Sequence, residues 1–276
     1  MYKFFTSAGV SFWNRLALGF EGIYYFGSIS KSSSFGFTNQ AYSSIAAGQD
    51  LVLRGASGKI GIQYEQPVGS KLTVGLGATY SLDSRITGFV EDYRLSSGVS
   101  QVDTLSFRRD TLANNAEGIY IPGEIGLGIS FNYADTWRAE FNYTRSDWTG
   151  AGMTNTPGFE VKGYSTFSTG VAESYKLGFE ITPNRNDVRY YLRRCTYRAG
   201  LYYDTSYYLL DGNMVKNYGM TLGASLPVFR NFNSVNFAMD FGQRASLMGN
   251  MVRERYVNFT IGLNFHDYWF QKHQYN

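Results

Sequence analysis

The last regular segment of the chain constrains its fold most. Residues 257–265 read V-N-F-T-I-G-L-N-F, so apolar side chains occupy every second position and Asn, Thr or Gly occupy the others. Successive side chains of a β-strand point to opposite faces, which gives this segment one apolar face and one small, polar face. A soluble sheet with its apolar face turned inward has the same alternation, so one segment alone does not identify the surroundings.

The same alternation recurs in segments of similar length along most of the chain. Their polar positions are rich in Gly, Asn, Thr and Ser, and the clearest segments are residues 72–80, 125–131, 137–144, 218–226 and 235–242. Repeated segments of about ten residues, apolar toward lipid and polar toward a lumen, are typical of transmembrane β-barrels. We therefore predict an all-β fold, a transmembrane antiparallel up-and-down β-barrel.

The composition agrees with a barrel in the outer membrane of a diderm bacterium. Aromatic residues make up 17% of the chain, yet the mean hydropathy is −0.26. No run of about 20 apolar residues is present, which excludes a protein that crosses a membrane with helices. Aromatic girdles at the two membrane interfaces explain so many Tyr and Phe residues in a polar chain. The net charge of +3 is too small and dispersed to indicate a nucleic-acid partner.

Turn signals alternate between short and long connections. Short turns are predicted at 13–15, 66–70, 133–136, 182–190 and 229–234, and longer connections near 30–50, 91–117, 149–162, 205–217 and 246–254. Five turns and five connections separate eleven strands. Because barrels of this kind have short periplasmic turns and longer outer loops, the short turns are assigned to the periplasm. The barrel is predicted to cover residues 1–265, and residues 266–276 form a periplasmic tail.

The beginning of the chain is less regular. Residues 2–12 read as a strand already in progress, and a bulge is expected near residues 21–23, where the alternation breaks phase. An odd number of strands departs from the even number of bacterial single-chain barrels, so at least one strand is expected before Met1. The single cysteine, Cys195, is expected to be a small outward-facing residue on a strand.

Three blocks of sequence, in the right order, resemble the FadL/TodX family of outer-membrane transporters. The first is IPGEIGLGIS at 121–130 with DTWRAEFNYTRSDW at 135–148, which resembles the family's block of Pro, strand, turn, Trp, strand and Trp. The second is the hairpin ESYKLGFE at 173–180 and YRAGLYYDT at 197–205, and the third is the glycine-rich strand pair within 60–88. The resemblance spans about residues 55–265.

The resemblance implies a barrel of fourteen strands whose lumen is plugged by an amino-terminal hatch. It also implies passage of hydrophobic small molecules, such as long-chain fatty acids or aromatic compounds, with a kinked early strand as a lateral exit. The eleven strands counted here leave three strands and the hatch unaccounted for. This difference is the main departure from the family's pattern.

Charged residues within the alternating segments are directed to the lumen by strand parity, because a cation facing lipid at mid-membrane costs about 2–4 kcal/mol. This inward set is Lys59, Glu65, Glu124, Arg138, Glu140, Lys176, Glu180, Arg194, Arg198, Asp204, Asp240 and Arg244. We single out six of them as ligand- or lumen-lining candidates: Arg138, Glu140, Arg198, Asp204, Asp240 and Arg244.

Two interpretations of these inward charges remain open. Some of them could recognise the polar head of a ligand, and Arg198 and Arg138 are then the best candidates, because guanidinium binds a carboxylate with two parallel hydrogen bonds. Alternatively, they form a mutually neutralising network that stiffens the interior. We favour the neutralising network.

Catalytic chemistry is not expected. The only histidines, His266 and His273, lie in the predicted tail, so a Ser–His hydrolase or a histidine metal site has no histidine inside the barrel. The motifs Gly75-x-Gly77 and Gly126-x-Gly128 lie inside alternating strands with no helix after them, which excludes phosphate loops. The sequence predicts no enzyme activity, no cofactor and no metal.

Three classes of function remain. The first is a channel for passive uptake of hydrophobic or amphiphilic small molecules, and the second is a non-transporting scaffold barrel within an outer-membrane assembly or secretion complex. The third, a general water-filled porin, is disfavoured because the family it resembles has a plugged lumen and apolar ligands. The expected partners are such small molecules, outer-membrane lipids and, for the scaffold, other proteins of the complex.

Overall fold

Antiparallel β-strands make up most of the computed structural model, which describes residues 1–37, 44–97, 102–111, 119–152, 166–228, 233–248 and 251–265. One four-residue helix, α1, is found within these ranges. The elements are β1 (Tyr2–Phe12), β2 (Leu16–Phe35), β3 (Ser44–Val68), β4 (Leu72–Ser81), β5 (Ser84–Ser97), β6 (Val102–Thr111), β7 (Ile119–Ile121), β8 (Glu124–Tyr133), β9 (Trp137–Asp147), β10 (Phe167–Thr169), β11 (Val171–Ile181), α1 (Tyr191–Arg194), β12 (Thr196–Leu210), β13 (Asn213–Val228), β14 (Asn233–Arg244) and β15 (Glu254–Asn264).

Eleven strands lie edge to edge in one sheet, and each pairs with its neighbours in antiparallel fashion. Their order is β1, β2, β3, β4, β8, β9, β11, β12, β13, β14, β15, which is their order along the chain. The predicted all-β meander of eleven strands is thereby confirmed. Most of these strands are 10–16 residues long, which is enough for a tilted strand to cross a bilayer.

A side branch extends the sheet beside β3, whose 25 residues have two different neighbours along one edge. Residues 59–68 pair with β4, and residues 44–54 pair with β5, which also pairs with β6 and β7. The predicted long connections near 30–50 and 91–117 are therefore wrong over much of their length. Their Ser- and Gly-rich residues lack a clear alternation, but the backbone hydrogen bonds of a long hairpin do not depend on it.

The predicted long connection near 205–217 is also wrong, because β12 and β13 are joined by Asp211 and Gly212 alone. These residues have φ values of 50° and 73°, the left-handed conformation that a two-residue turn between antiparallel strands requires. The Asp211 side chain accepts a hydrogen bond from the Thr166 backbone N–H at 2.7 Å. Most of the connection predicted near 149–162 lies outside the described residues, as does the whole predicted tail, 266–276.

We call one end of the sheet the short-turn end, because the three-residue turns 13–15, 69–71 and 134–136 lie there. The connection between β11 and β12 at this end is longer than predicted, since it runs from 182 to 195 and contains α1. Cys195 lies in this connection and is 1% exposed, so the expectation of an outward-facing strand residue is wrong. Its thiol contacts the Tyr191 carbonyl oxygen at 3.6 Å, and burial raises the pKa of Cys195.

The two faces of the sheet differ as the alternation predicts. On the outer face, Phe259 and Ile261 are 72% and 70% exposed, and Phe141, Leu222 and Phe237 are also exposed. Phe241 shares the parity of these residues but is only half-exposed. Large exposed apolar side chains over a whole face are the surface that lipid covers in a membrane barrel.

Aromatic side chains gather on the outer face at the short-turn end. Tyr133 and Trp137, on either side of one short turn, stack with their ring centroids 5.7 Å apart. Trp137 also stacks on Phe179 of the next strand, and Trp13, in another short turn, is almost fully exposed. Aromatic rings at this level form the belt expected at a membrane–water interface.

The inner face carries a small apolar core near the opposite end of the sheet. Leu51, Leu53, Ile86, Val90 and Ile119 are buried there against one another. Ile23 is also buried on the inner face, and the register of β2 with β1 and β3 is uninterrupted around it. The predicted bulge near residues 21–23 is therefore wrong. The alternation breaks because an apolar residue occupies an inward position.

Both ends of the strand order have an unpaired edge. Within the described ranges, β1 pairs only with β2, and β15 pairs only with β14. No helix in the part of the chain that the structure describes is long and apolar enough to cross a membrane.

Candidate functional site

The candidate site lies on the polar inner face of five neighbouring strands, β9 and β11–β14. Strand register aligns its side chains in rows across the sheet. One row joins Arg138, Glu180 and Arg198, and the next joins Glu140, Gly178, Gly200, Thr221 and Asp240. A third row contains Asn142, Lys176 and Tyr202. The glycines in these rows leave open space between the charged side chains, which creates a cavity of about 520 Å³.

Each of the two candidate arginines is already bound to a carboxylate. The Arg198 Nε donates to Glu180 Oε2 at 2.6 Å, and its Nη1 donates to Ser225 Oγ at 2.6 Å. The Arg138 Nη2 donates to Glu140 Oε2 at 2.9 Å. Because the carboxylates neutralise both guanidinium groups, this arrangement favours the neutralising network over recognition of a ligand by Arg138 or Arg198.

Asp240 belongs to a second network that links four strands. The Tyr202 hydroxyl donates to Asp240 Oδ1 at 2.9 Å and lies 2.8 Å from the Tyr256 hydroxyl. The Tyr256 hydroxyl in turn donates to Asn217 Oδ1 at 3.0 Å. The Tyr202 ring lies over Gly219 and the Tyr256 ring lies over Gly242, where any Cβ atom would overlap the ring. Glycine at these two positions is what allows the rings to lie flat on the inner face.

The structure does not bring Asp204 and Arg244 into the cavity. The Asp204 carboxylate accepts a hydrogen bond from Ser174 Oγ at 2.5 Å. Arg244 is the last residue of β14 and lies opposite Asn217 and Glu254 in the strand register. Of the six predicted residues, Arg138, Glu140 and Arg198 line the cavity, and Asp240 borders it through Tyr202. A ligand-binding role for these six residues stays a prediction.

Lys176 is the charged residue of this cavity that is left without an opposite charge. Within the described ranges, it has neither a hydrogen-bond partner nor a salt-bridge partner. The carboxylates nearest in the strand rows are engaged elsewhere, since Glu140 accepts bonds from Arg138 and Asn142 while Glu180 accepts one from Arg198. Strand parity gave the inward direction of Lys176, but only the register across three strands reveals that it is unpaired.

This arrangement provides groups that can bind a ligand. No group of three or more His, Cys, Asp or Glu residues that could hold a metal ion occurs in the described ranges. Both histidines are beyond the last described residue, Phe265. The cavity instead combines a single uncompensated ammonium group with glycine surface and hydrogen-bonding side chains. Such a site can bind the anionic end of a molecule.

Comparisons with known proteins give a family and a fold. The family model that matches is BamG, over residues 1–276. A search of curated proteins found no match.

Solved structures of similar fold include the CymD monoaromatic hydrocarbon channel, which is 16% identical with a TM-score of 0.54. The alignment covers 95% of this chain and 72% of CymD. The Ralstonia pickettii toluene transporter TbuX is 14% identical with a TM-score of 0.52, with coverage of 94% and 66%. The Pseudomonas putida toluene transporter TodX is 16% identical with a TM-score of 0.47, with coverage of 95% and 67%. The fold resemblance to the FadL/TodX type that the sequence predicted is confirmed.

Proposed function

The chain belongs to the BamG family, and from its fold and its inner face we propose that it is a β-barrel protein of a diderm outer membrane that passes small hydrophobic molecules. We further propose that these molecules carry an anionic head, as long-chain fatty acids do. Uptake is passive and follows the concentration gradient. The related folds of a monoaromatic hydrocarbon channel and a toluene transporter support the hydrophobic part of this proposal.

The unpaired ammonium of Lys176 is the observation that supports an anionic head on the ligand. An ammonium that no carboxylate neutralises attracts a carboxylate more strongly than a paired one, because no existing salt bridge has to be broken. Gly178 and Gly200 line the cavity beside it, and an acyl chain can lie against these two residues between the charged side chains. The bound arginines keep the rest of the cavity neutral.

In this mechanism the inner face holds the ligand and does not transform it. The ligand's carboxylate pairs with Lys176, and its chain lies along Gly178 and Gly200. The linked Tyr202, Asp240 and Tyr256 side chains form a fixed wall beside the site. Because a single ammonium holds the head, release toward the periplasm requires the loss of one ion pair.

Replacing Lys176 with Met tests the proposal. Uptake of labelled oleate by cells without another fatty-acid channel should fall by about tenfold, the effect of losing a charge-assisted hydrogen bond. Uptake of toluene, which has no charge, should be unchanged, and Lys176→Arg should retain oleate uptake because it retains the cation. Equal loss for both compounds would assign Lys176 a structural role.

A second candidate function is a scaffold barrel within an outer-membrane assembly or secretion complex. The observations that favour it are the unpaired outer edges of β1 and β15 in the described ranges and the neutralised arginines of the inner face. An open strand edge is a template for pairing with another chain. Purification of the native protein from its own membrane tests this function. A partner at fixed stoichiometry, together with absent uptake of both oleate and toluene, would place the scaffold first.

A further inference from the structure

A row of tyrosines crosses the outer face toward the end of the sheet opposite the short turns. Strand register places side by side on β9, β11, β12 and β13 the residues Tyr143, Tyr175, Tyr203 and Tyr218. The ring centroids of Tyr143 and Tyr175 are 4.9 Å apart, and those of Tyr175 and Tyr203 are 6.2 Å apart. Tyrosine on a lipid-facing surface is typical of a membrane–water interface, because its ring can contact lipid while its hydroxyl contacts water. The row therefore lies at the level of the second interface.

The outer face of β13, β14 and β15 carries two charged side chains, and both are cations. They are Lys216 and Arg255, which are exposed and share strand parity with the exposed apolar residues of this face. The acidic residues of these three described strands are Asp240 and Glu254, and both have the inner parity. No carboxylate of the three strands therefore shares a face with Lys216 and Arg255.

Both cations lie close to the level of the tyrosine row. Arg255 is in the same row as Tyr218, and Gln243 of β14 lies between them. Lys216 is two residues beyond Tyr218, and its carbonyl oxygen accepts a hydrogen bond from the Ala245 N–H at 2.8 Å, so it is still part of the sheet. A cation on the lipid-facing surface costs much less near an interface than at mid-membrane. The interface is also where the phosphate groups of membrane lipids lie.

A chain of hydrogen bonds orients the Arg255 guanidinium. Its Nε donates to Gln243 Oε1 at 3.2 Å, and Gln243 Nε2 donates to the Tyr218 hydroxyl at 2.8 Å. In the described ranges, this guanidinium has no other hydrogen-bond or salt-bridge partner, and the Lys216 ammonium has neither kind of partner. The Nη groups of Arg255 and the Lys216 ammonium can therefore bind an anion without breaking an ion pair of the described residues. A guanidinium that is already oriented loses less entropy when it binds.

We propose that Lys216 and Arg255 bind the phosphate headgroup of a membrane lipid on the outside of the barrel. Their Cα atoms are about 12 Å apart, from two strand spacings and an offset of two residues, so both long side chains can reach one phosphate. Guanidinium and ammonium groups form charge-assisted hydrogen bonds with phosphate. Toward mid-membrane, the next residues of the same face on these two strands are Met220 and Val257, which are exposed and can contact the acyl chains. The site rests on the proposed membrane location but not on uptake, because a scaffold barrel would bind the lipid in the same way.

Native mass spectrometry of the protein in non-ionic detergent tests the site. The probe is dioleoyl phosphatidate, and dioleoylglycerol, which lacks the phosphate, is its uncharged counterpart. We expect one tightly bound phosphatidate that dioleoylglycerol and inorganic phosphate at the same concentration do not displace. Arg255→Gln and Lys216→Gln should each weaken its binding by about tenfold, the effect of losing one charge-assisted hydrogen bond. Lys216→Arg should retain the binding because it retains the cation.

Arg145→Gln is the matched control. Arg145 is also exposed on the outer face, but its register partner on β11 is an acidic residue, Glu173. This change should leave phosphatidate binding unchanged, and so should Lys176→Met, which separates the lipid site from the cavity of the proposed uptake. The proposal is overturned if dioleoylglycerol binds as tightly as phosphatidate, or if Arg145→Gln weakens binding as much as Arg255→Gln. Displacement of phosphatidate by inorganic phosphate at the same concentration would also overturn it, because the ligand would then be a free phosphate.

Discussion

At the scale of single residues, the inner-face glycines Gly219 and Gly178 differ in the space that surrounds them. A Cβ atom on Gly219 would overlap the Tyr202 hydroxyl and the Phe241 carbonyl oxygen, whereas one on Gly178 would meet no atom within 4 Å. The tyrosine ring could turn away, but the carbonyl belongs to the neighbouring strand and can move only with the sheet. An added methyl group should therefore destabilise the fold at Gly219 but not at Gly178.

Gly219→Ala should destabilise the protein by about 1–3 kcal/mol, the cost of overpacking a closely packed site. Gly178→Ala, its control, should be neutral or stabilise the fold by up to about 1 kcal/mol, because alanine restricts the unfolded chain. Guanidinium-induced unfolding in detergent, followed by tryptophan fluorescence, measures both. A Gly178→Ala variant as unstable as Gly219→Ala would contradict the explanation by local space.

For the candidate site, the sequence predicted which face the charged side chains lie on but not how they pair. Parity alone placed Arg138, Glu140, Arg198 and Asp240 on the inner face, because it depends only on the alternation within each strand. The pairing of those charges depends on the register between strands. In a sheet with one continuous polar face, a sequence does not reveal which Arg faces which Glu. The unpaired state of Lys176 was hidden for the same reason.

At the scale of elements, the connection 182–195 depends on the ionisation of one side chain. The backbone N–H of Tyr190, followed by that of Arg189 and the side chain of Arg193, holds the pKa of Asp187 below its usual value, against a smaller opposing effect of burial. A carboxyl group with a lowered pKa stabilises the folded state above its usual pKa. That stabilisation is lost as the pH falls through the lowered value.

Acid should therefore loosen this connection while the barrel stays folded. We expect hydrogen exchange of the Arg189 and Tyr190 amides, corrected for its intrinsic pH dependence, to accelerate as the pH falls below about 4. Asp187→Asn should show the faster exchange already at neutral pH and should respond little to acid. Identical pH profiles for the two proteins would mean that another group orders the connection.

The sequence did not predict the lengths of several strands and connections. The alternating strands were predicted well, because hydrophobic periodicity is the strongest local signal. The outer parts of β2 and β3 were missed because residues 28–34 are mostly serine and carry no apolar periodicity. Asp211–Gly212 is a strong hairpin signal in itself, but the aromatic and polar residues around it lack a clear alternation and predict a longer connection.

At the scale of the whole molecule, the first and last strands of the sheet do not pair with each other in the described residues. Direct pairing would bring β1 and β15 to about 4.8 Å, whereas three intervening strands, as the family resemblance implies, would separate them by about 19 Å. Whether further strands lie between them stays a prediction.

Spin labels on the two edge strands test this separation in the native protein. Labels at Thr6 and Ile261, in a Cys195→Ser background, should be at least about 15 Å apart by pulsed electron spin resonance. Labels at Phe237 and Ile261, which are register partners on β14 and β15, provide the short-distance control. A separation between Thr6 and Ile261 as short as the control would mean that the eleven strands close on themselves.

The side branch of the sheet has a consequence for how the protein meets the outside of the cell. β4 ends beside Lys59, whereas β3 also pairs with β5 over residues 44–54, so these 11 residues at about 3.3 Å each form an extension about 36 Å long beyond the end of β4. If the short turns lie in the periplasm, as the sequence predicts, we expect this extension of β2, β3, β5 and β6 to stand above the outer leaflet. In that orientation we expect it to be the epitope for antibodies against intact cells, and a tag near its tip should report surface display without touching the barrel wall.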